Sequence, residues 1–106
     1  SSKIKVEILC SIATKLLEAN DVEGAVSKIQ SARNVALRIL EPIWRAHALK
    51  IILVALSKMG KCELLLEVLD DFIKSIEEIE SDYSKVVILG EAIMQIIESI
   101  PRKRSK

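Results

Sequence analysis

The chain has 106 residues and a formal net charge of +1, and half of its residues are apolar although only three are aromatic. This length suffices for one domain whose core Ile, Leu, Val and Ala must build. The nearly neutral charge disfavours bulk attraction to nucleic acid or to a membrane surface, and three Gly and two Pro leave little material for the turns of a sandwich or barrel.

Apolar residues recur at spacings of three and four along the chain, which predicts an all-α protein. The predicted helices are Lys3–Ala19, Val22–Leu40, Pro42–Met59, Cys62–Glu80 and Tyr83–Ile100. The densest apolar run, Ile51 to Leu56, has six residues, far fewer than the ~18–20 that cross a bilayer. We therefore expect five helices and no membrane span.

The breaks between the helices carry turn and capping residues. Asn20 can adopt the left-handed conformation that ends a helix, and Asp21 is a good N-cap for the next one. Pro42 suits a first helical turn, Gly60 suits the residue after a helix, and Ser81 or Asp82 can cap the last helix. Such short turns force neighbouring helices to lie antiparallel.

The first, third and fifth helices resemble one another at an offset of forty residues. Leu9, Leu49 and Leu89 are identical at this offset, and the turn at Asn20–Asp21 recurs at Gly60–Lys61. No single helix hairpin can bury both of its faces, so the pattern predicts hairpins stacked side by side. We expect one domain over residues 1–101, followed by a basic flexible tail over 102–106.

The segment A-N-D-V-E-G-A, Ala19 to Ala25, resembles the turn of tetratricopeptide repeats, and L-E-P-I-W-R-A-H-A-L, Leu40 to Leu49, resembles the junction between such repeats in prokaryotic proteins. The resemblance covers most of residues 16–60, although the repeat length here is about forty. It implies a right-handed stack of antiparallel hairpins with a concave groove that binds a peptide or protein segment, and it implies no catalysis.

The helical register predicts which side chains would line such a groove. A non-catalytic interaction or scaffold module, with a protein or peptide partner, is therefore the function that we expect. The expected groove residues are Glu7, Ser11, Thr14 and Glu18 on the first helix, His47, Lys50, Val54 and Lys58 on the third, and Glu91, Met94 and Glu98 on the fifth.

Charge is unevenly distributed along the chain. Residues 61–82 contain eight acids and two lysines, which would favour a basic partner. The acids Glu77, Glu78, Glu80 and Asp82 could hold a divalent ion but lack the spacing of a calcium loop, so we expect a solvated face and no metal. A nucleic-acid accessory protein that uses the basic tail remains the alternative function, disfavoured because the tail has no interleaved aromatic residues for base stacking.

Catalytic signals are weak. The single histidine, His47, is expected at the solvent, and Cys10 and Cys62 lack the paired spacing of a zinc site, so both are interpreted as core cysteines. No phosphate loop or nucleophile elbow is present in the sequence. We expect no enzyme activity and no cofactor, with an enzyme site between helices as the remaining alternative. Two unpaired cysteines favour the reducing cytoplasm.

The fifth helix carries more apolar residues than one core-facing stripe requires. Val86 to Leu89 are consecutive apolar residues, and four more follow between Ile93 and Ile97. An uncovered strip of this kind usually marks an interface. We expect a homodimer across a two-fold axis through Val87 and Met94; the alternative is that the chain itself covers both sides of this helix.

Overall fold

The computed structural model describes residues 1–100, and this part of the chain consists of five α-helices without a strand. The helices are α1 (Ser2–Glu18), α2 (Val22–Leu37), α3 (Pro42–Met59), α4 (Cys62–Glu78) and α5 (Asp82–Ser99). The predicted number of helices and the all-α class are confirmed. The predicted tail, 102–106, lies outside the described residues.

The predicted turn chemistry is present at each break. Asn20 has φ 66° and Gly60 has φ 71°, both in the left-handed region that ends a helix. The Asp21 carboxylate accepts a hydrogen bond of 2.9 Å from the Gly24 amide, and the Ser81 hydroxyl accepts one of 3.1 Å from the Ser84 amide. These side chains satisfy amides that the first helical turn leaves without a partner.

Helices α2 and α4 end two or three residues earlier than predicted, whereas α1 and α5 end only one residue earlier. Helix α2 ends at Leu37 rather than Leu40, and Leu40 is exposed. The pyrrolidine ring of Pro42 keeps Glu41 extended, with ψ 119°, so the chain must leave the helix before this residue. Helix α4 ends at Glu78, because the extended Ile79 turns its side chain into the core.

Helix α3 lies at the centre and packs against each of the other four helices. Helix α2 packs against α1 and α3, and α4 packs against α3 and α5. Eight residues of α3 are buried, including Leu49, Ile52, Leu53 and Leu56. The other helices contribute Val6, Ile29, Phe72 and Ile88 to the same core. The near-continuous apolar sequence of α3 therefore reflects a helix covered on several sides.

Two arginines connect the helices through side-chain hydrogen bonds. Arg33 of α2 donates to Asp71 at 2.6 Å and to Glu67 at 2.9 Å, both on α4. Arg45 of α3 donates to Ser75 and Glu78 of α4 and to the backbone carbonyls of Ile39 and Leu40. Much of the acidic character of α4 therefore serves intramolecular pairing.

Candidate functional site

A groove runs along one side of α3, between α1 and α5. Its larger cavity has a volume of about 440 Å³. Helix α3 forms the floor through Ile51, Val54 and Ala55, and α1 forms one wall. The lining residues are Glu7, Cys10, Ser11, Thr14, Ile51, Val54, Ala55, Lys58 and Gln95.

A second cavity, of about 330 Å³, continues this groove towards the end of α5. It shares Val54, Lys58 and Gln95 with the first and adds Glu98 and Ser99. The two cavities form one concave surface with apolar patches on its floor and polar groups on its walls. Such a surface can hold an extended or helical segment of another chain.

The structure brings six of the predicted groove residues together in these two cavities. They are Glu7, Ser11, Thr14, Val54, Lys58 and Glu98. The other five lie outside the cavity lining: Glu18 is exposed at the end of α1, Met94 is exposed on α5, and His47, Lys50 and Glu91 lie nearer the start of α3.

Five polar side chains of the groove have no partner within the described part of the chain. Glu7, Ser11, Lys58, Gln95 and Glu98 make no side-chain hydrogen bond or ion pair within residues 1–100. By contrast, the Thr14 hydroxyl donates to the Cys10 carbonyl at 3.0 Å. A partner would therefore meet unpaired charges of both signs and one amide.

An ion pair joins α3 and α5 beside the groove. The Lys50 ammonium lies 3.4 Å from the Glu91 carboxylate, and only 12% of the Lys50 side chain is exposed. The structure thus differs from the expected solvent-facing Lys50, because the long aliphatic stem packs against protein while the ammonium reaches Glu91. Lys50 connects two helices rather than offering a free charge.

His47 lies next to this ion pair and is only partly exposed, so the expectation of a solvent-facing histidine is wrong in degree. Its ring centroid is 5.9 Å from that of Trp44. Burial lowers the pKa of His47, and the positive charges of Lys50 and Lys3 lower it further, against the opposing effect of Glu91. The neutral imidazole is therefore favoured in the folded state.

This lowered pKa predicts a pH-dependent stability. Above the unfolded-state pKa of about 6.5, His47 is neutral in both states, so its full contribution is present. As pH falls below about 6.5, the unfolded chain binds the proton more readily than the folded chain, and the free energy of unfolding decreases. An NMR titration of the single imidazole should give a midpoint below about 6.5. Urea unfolding at mildly acidic and neutral pH should show a smaller decrease for His47→Gln than for the wild type.

Five groove residues were not among the predicted ones: Cys10, Ile51, Ala55, Gln95 and Ser99. Ile51, Val54 and Lys58 follow His47 by four, seven and eleven residues, so all four lie along one side of α3. On α5, Gln95 follows Glu91 by four residues. The helical register could therefore have found both Ile51 and Gln95. Cys10 and Ala55 are buried and border the cavity from its edges, a position that only the packing of α1 on α3 defines.

The two cysteines differ in environment. Both thiols are free; Cys10 is buried and Cys62 is exposed at the start of α4, so the interpretation of Cys62 as a core residue is wrong. Cys62 lies off the stripe formed by Val68, Phe72 and Ile76, which is the side of α4 that faces the core. Burial raises the pKa of Cys10 to about 12.

We predict that a thiol-specific disulfide reagent labels the two cysteines at very different rates. At mildly alkaline pH Cys62 should react at least about 100-fold faster, because Cys10 is inaccessible and its thiolate is rare. Mass spectrometry of the singly labelled chain locates the modified residue, and Cys62→Ser serves as the control. Both thiols should react rapidly in denaturant. Equal rates in the folded chain would show that Cys10 is accessible through the groove.

Over residues 1–100, the structure can be compared with the expectation that the chain has no metal site and no membrane span. Two of the four acids considered as metal ligands have other partners, since Glu78 pairs with Arg45 and Asp82 lies 3.9 Å from Lys85. Within residues 1–100, no group of three or more His, Cys, Asp or Glu side chains is arranged to hold a metal ion. No helix in this same part of the chain is both long and apolar enough to span a bilayer.

Over residues 1–100, the fold and the groove define an all-helical protein of five helices, three of which form one concave side. Comparison with known protein families, with curated proteins and with solved structures found no match in any of the three. The function must therefore be argued from the groove itself.

Proposed function

We propose that the chain is a non-catalytic interaction module that holds a peptide or protein segment in the groove between α1 and α5. The observation that carries this proposal is the continuity of the two cavities along α3, with unpaired Glu7, Lys58, Gln95 and Glu98 on their walls. Such a surface offers an apolar floor for side chains and polar groups that fix orientation.

The packing of the helices supports a tetratricopeptide-like arrangement. Helices α1, α3 and α5 pack in succession, while α2 and α4 pack against them in the manner of the second helices of hairpins. We propose that they form a right-handed stack of αα-hairpins whose first helices line the concave side. In such stacks each hairpin contacts its neighbours only, and the concave side is the binding surface.

The charge of the groove suggests the chemistry of the partner. Val54, Lys58, Gln95 and Glu98 line the second cavity together, while Glu7 lies on the α1 wall of the first. A segment with an apolar residue between a basic and an acidic residue would complement these groups. This description replaces the general expectation of a basic partner, because the acids of α4 largely pair within the chain.

A peptide-display selection against the folded domain tests this function. We expect enrichment of segments with apolar residues flanked by charges. Binding of a selected peptide, measured by fluorescence anisotropy, should weaken at least about tenfold in Lys58→Glu, because the reversal places repulsion in the groove. Lys74→Glu is the matched control: Lys74 is exposed on α4 and pairs only with Asp70. Equal loss of affinity in both variants, or none in Lys58→Glu, would place binding elsewhere.

A further inference from the structure

Two exposed apolar faces lie on the outer helices that flank α3. On α1 the face consists of Ile4, Ile8 and Ile12, spaced by four residues. On α5 it consists of Val86, Leu89, Ile93 and Ile97, spaced by three and four residues. Within residues 1–100, no other helix covers these residues, so the alternative that the chain itself surrounds α5 does not hold for this part of the chain.

The α5 face occupies register positions that are buried on the helices before it. At the forty-residue offset, its members match Ala46, Leu49, Leu53 and Ser57 of α3, all of which are buried. The corresponding residues of α1 include Val6 and Ala13, which are also buried. On α3, the Ser57 hydroxyl is hydrogen-bonded to that of Ser99 on α5, so this side of α3 meets the helix that follows. On α5 the same kind of surface remains open.

Two positions of the α1 face are exposed on α1 but buried on α3 and α5. At the same offset of forty, Ile8 corresponds to Ala48 of α3 and Ile88 of α5. Ile12 corresponds to Ile52 of α3 and Ala92 of α5. The four residues on α3 and α5 are all buried. On α3 these positions share a side with Ala55, which lines the groove together with Cys10 of α1. The α1 face therefore corresponds to the surface by which α3 and α5 join the stack. The two open faces are therefore the two complementary sides of one recurring helix contact.

Exposed charged side chains lie at the ends of both faces. Asp82 lies four residues before Val86, at the first end of the α5 face, and its side chain is almost fully exposed. Glu98 lies beside Ile97 at the other end. On α1, the exposed Lys5 and Lys15 lie at the two ends of the α1 face. Asp82 already lies 3.9 Å from Lys85 and Lys15 lies 3.7 Å from Glu18, so these charges add little to a contact that the apolar side chains of the two faces carry.

We propose that copies of this chain associate head to tail, with the α5 face of one copy packed on the α1 face of the next. The contact is heterologous, so each copy retains one open face of each kind and further copies can add. The two-fold contact expected through Val87 and Met94 would instead pair α5 with α5, turn acidic Asp82 towards Glu98 of the other copy, and leave the α1 face uncovered. The head-to-tail contact does not depend on what the groove binds.

Analytical ultracentrifugation of the wild type and three variants tests this arrangement. Ile8→Glu alters the α1 face, Ile93→Glu alters the α5 face, and Ile73→Glu alters the exposed side of α4. The three isoleucines are matched, with 53%, 50% and 45% of their surface exposed. We expect the average mass of the wild type and of Ile73→Glu to rise with concentration beyond that of a dimer. Ile8→Glu and Ile93→Glu should each remain monomeric, with unchanged circular dichroism.

The decisive step is to mix the two monomeric variants. Ile8→Glu retains an intact α5 face and Ile93→Glu retains an intact α1 face, so the mixture should form a 1:1 heterodimer that grows no further. Overturning outcomes are a wild type that stays monomeric, variants that associate like the wild type, or a mixture that stays monomeric. If the Ile8→Glu variant by itself still formed a dimer and only the Ile93→Glu variant were monomeric, the two-fold contact would replace the head-to-tail one.

Discussion

Leu49→Ala should lower the free energy of unfolding by about 2–5 kcal/mol, because it removes a large part of a fully buried side chain and leaves a cavity. Leu49 lies in α3, which packs against every other helix, so little of the surrounding structure can collapse into the gap. This loss is a large fraction of the ~5–15 kcal/mol typical of a small domain. Urea unfolding monitored by circular dichroism measures it.

The matched control is Lys58→Ala, on the exposed side of the same helix, which should cost under about 0.5 kcal/mol. Lys50, although predicted to face solvent, is unsuitable because its largely covered side chain joins α3 to α5. Similar losses for Leu49→Ala and Lys58→Ala would mean that the faces of α3 are assigned incorrectly.

Arg45→Met should lower the free energy of unfolding by about 2–4 kcal/mol. Only 12% of the Arg45 side chain is exposed, and its guanidinium donates to two side chains of α4 and to two carbonyls before α3. Methionine retains much of the packing volume but none of the donors. The Ile39 carbonyl and the buried Ser75 hydroxyl would lose their partner on α3.

Glu78→Gln is the comparison for Arg45→Met, since it neutralises one exposed acceptor and leaves the other three acceptors unchanged. Its cost should stay below about 1 kcal/mol, as for other surface ion pairs. Thermal and chemical unfolding of both variants measure the difference. An Arg45→Met protein as stable as Glu78→Gln would show that the guanidinium contributes no more than an ordinary surface charge.

The helices and turns could be read from the sequence because local chemistry determines them. Asn20, Gly60 and Pro42 act through their own backbone conformations, and Asp21 and Ser81 act on amides three residues away. The early end of α4 was missed because burial of Ile79 depends on its neighbours in space rather than on its neighbours in sequence.

The candidate site was less predictable than the fold. Register alone indicated the groove side of α3, including Val54 and Lys58. It could not show that Lys50 reaches Glu91, forty-one residues away, or that Arg45 binds the end of α4. Such contacts depend on how far each helix is rotated against its neighbour. A sequence repeat indicates which helices are equivalent but not how far each is rotated.

Chemical-shift mapping of the ¹⁵N-labelled domain with a peptide obtained by selection tests most directly whether the groove is the binding surface. The proposed function predicts that the largest shift changes follow the groove, at Ser11, Thr14, Val54, Lys58 and Gln95, while the exposed side of α4 around Ile73 and Lys74 remains unchanged. Changes confined to α2 and α4, with the resonances of Val54 and Lys58 unaffected at saturation, would contradict it.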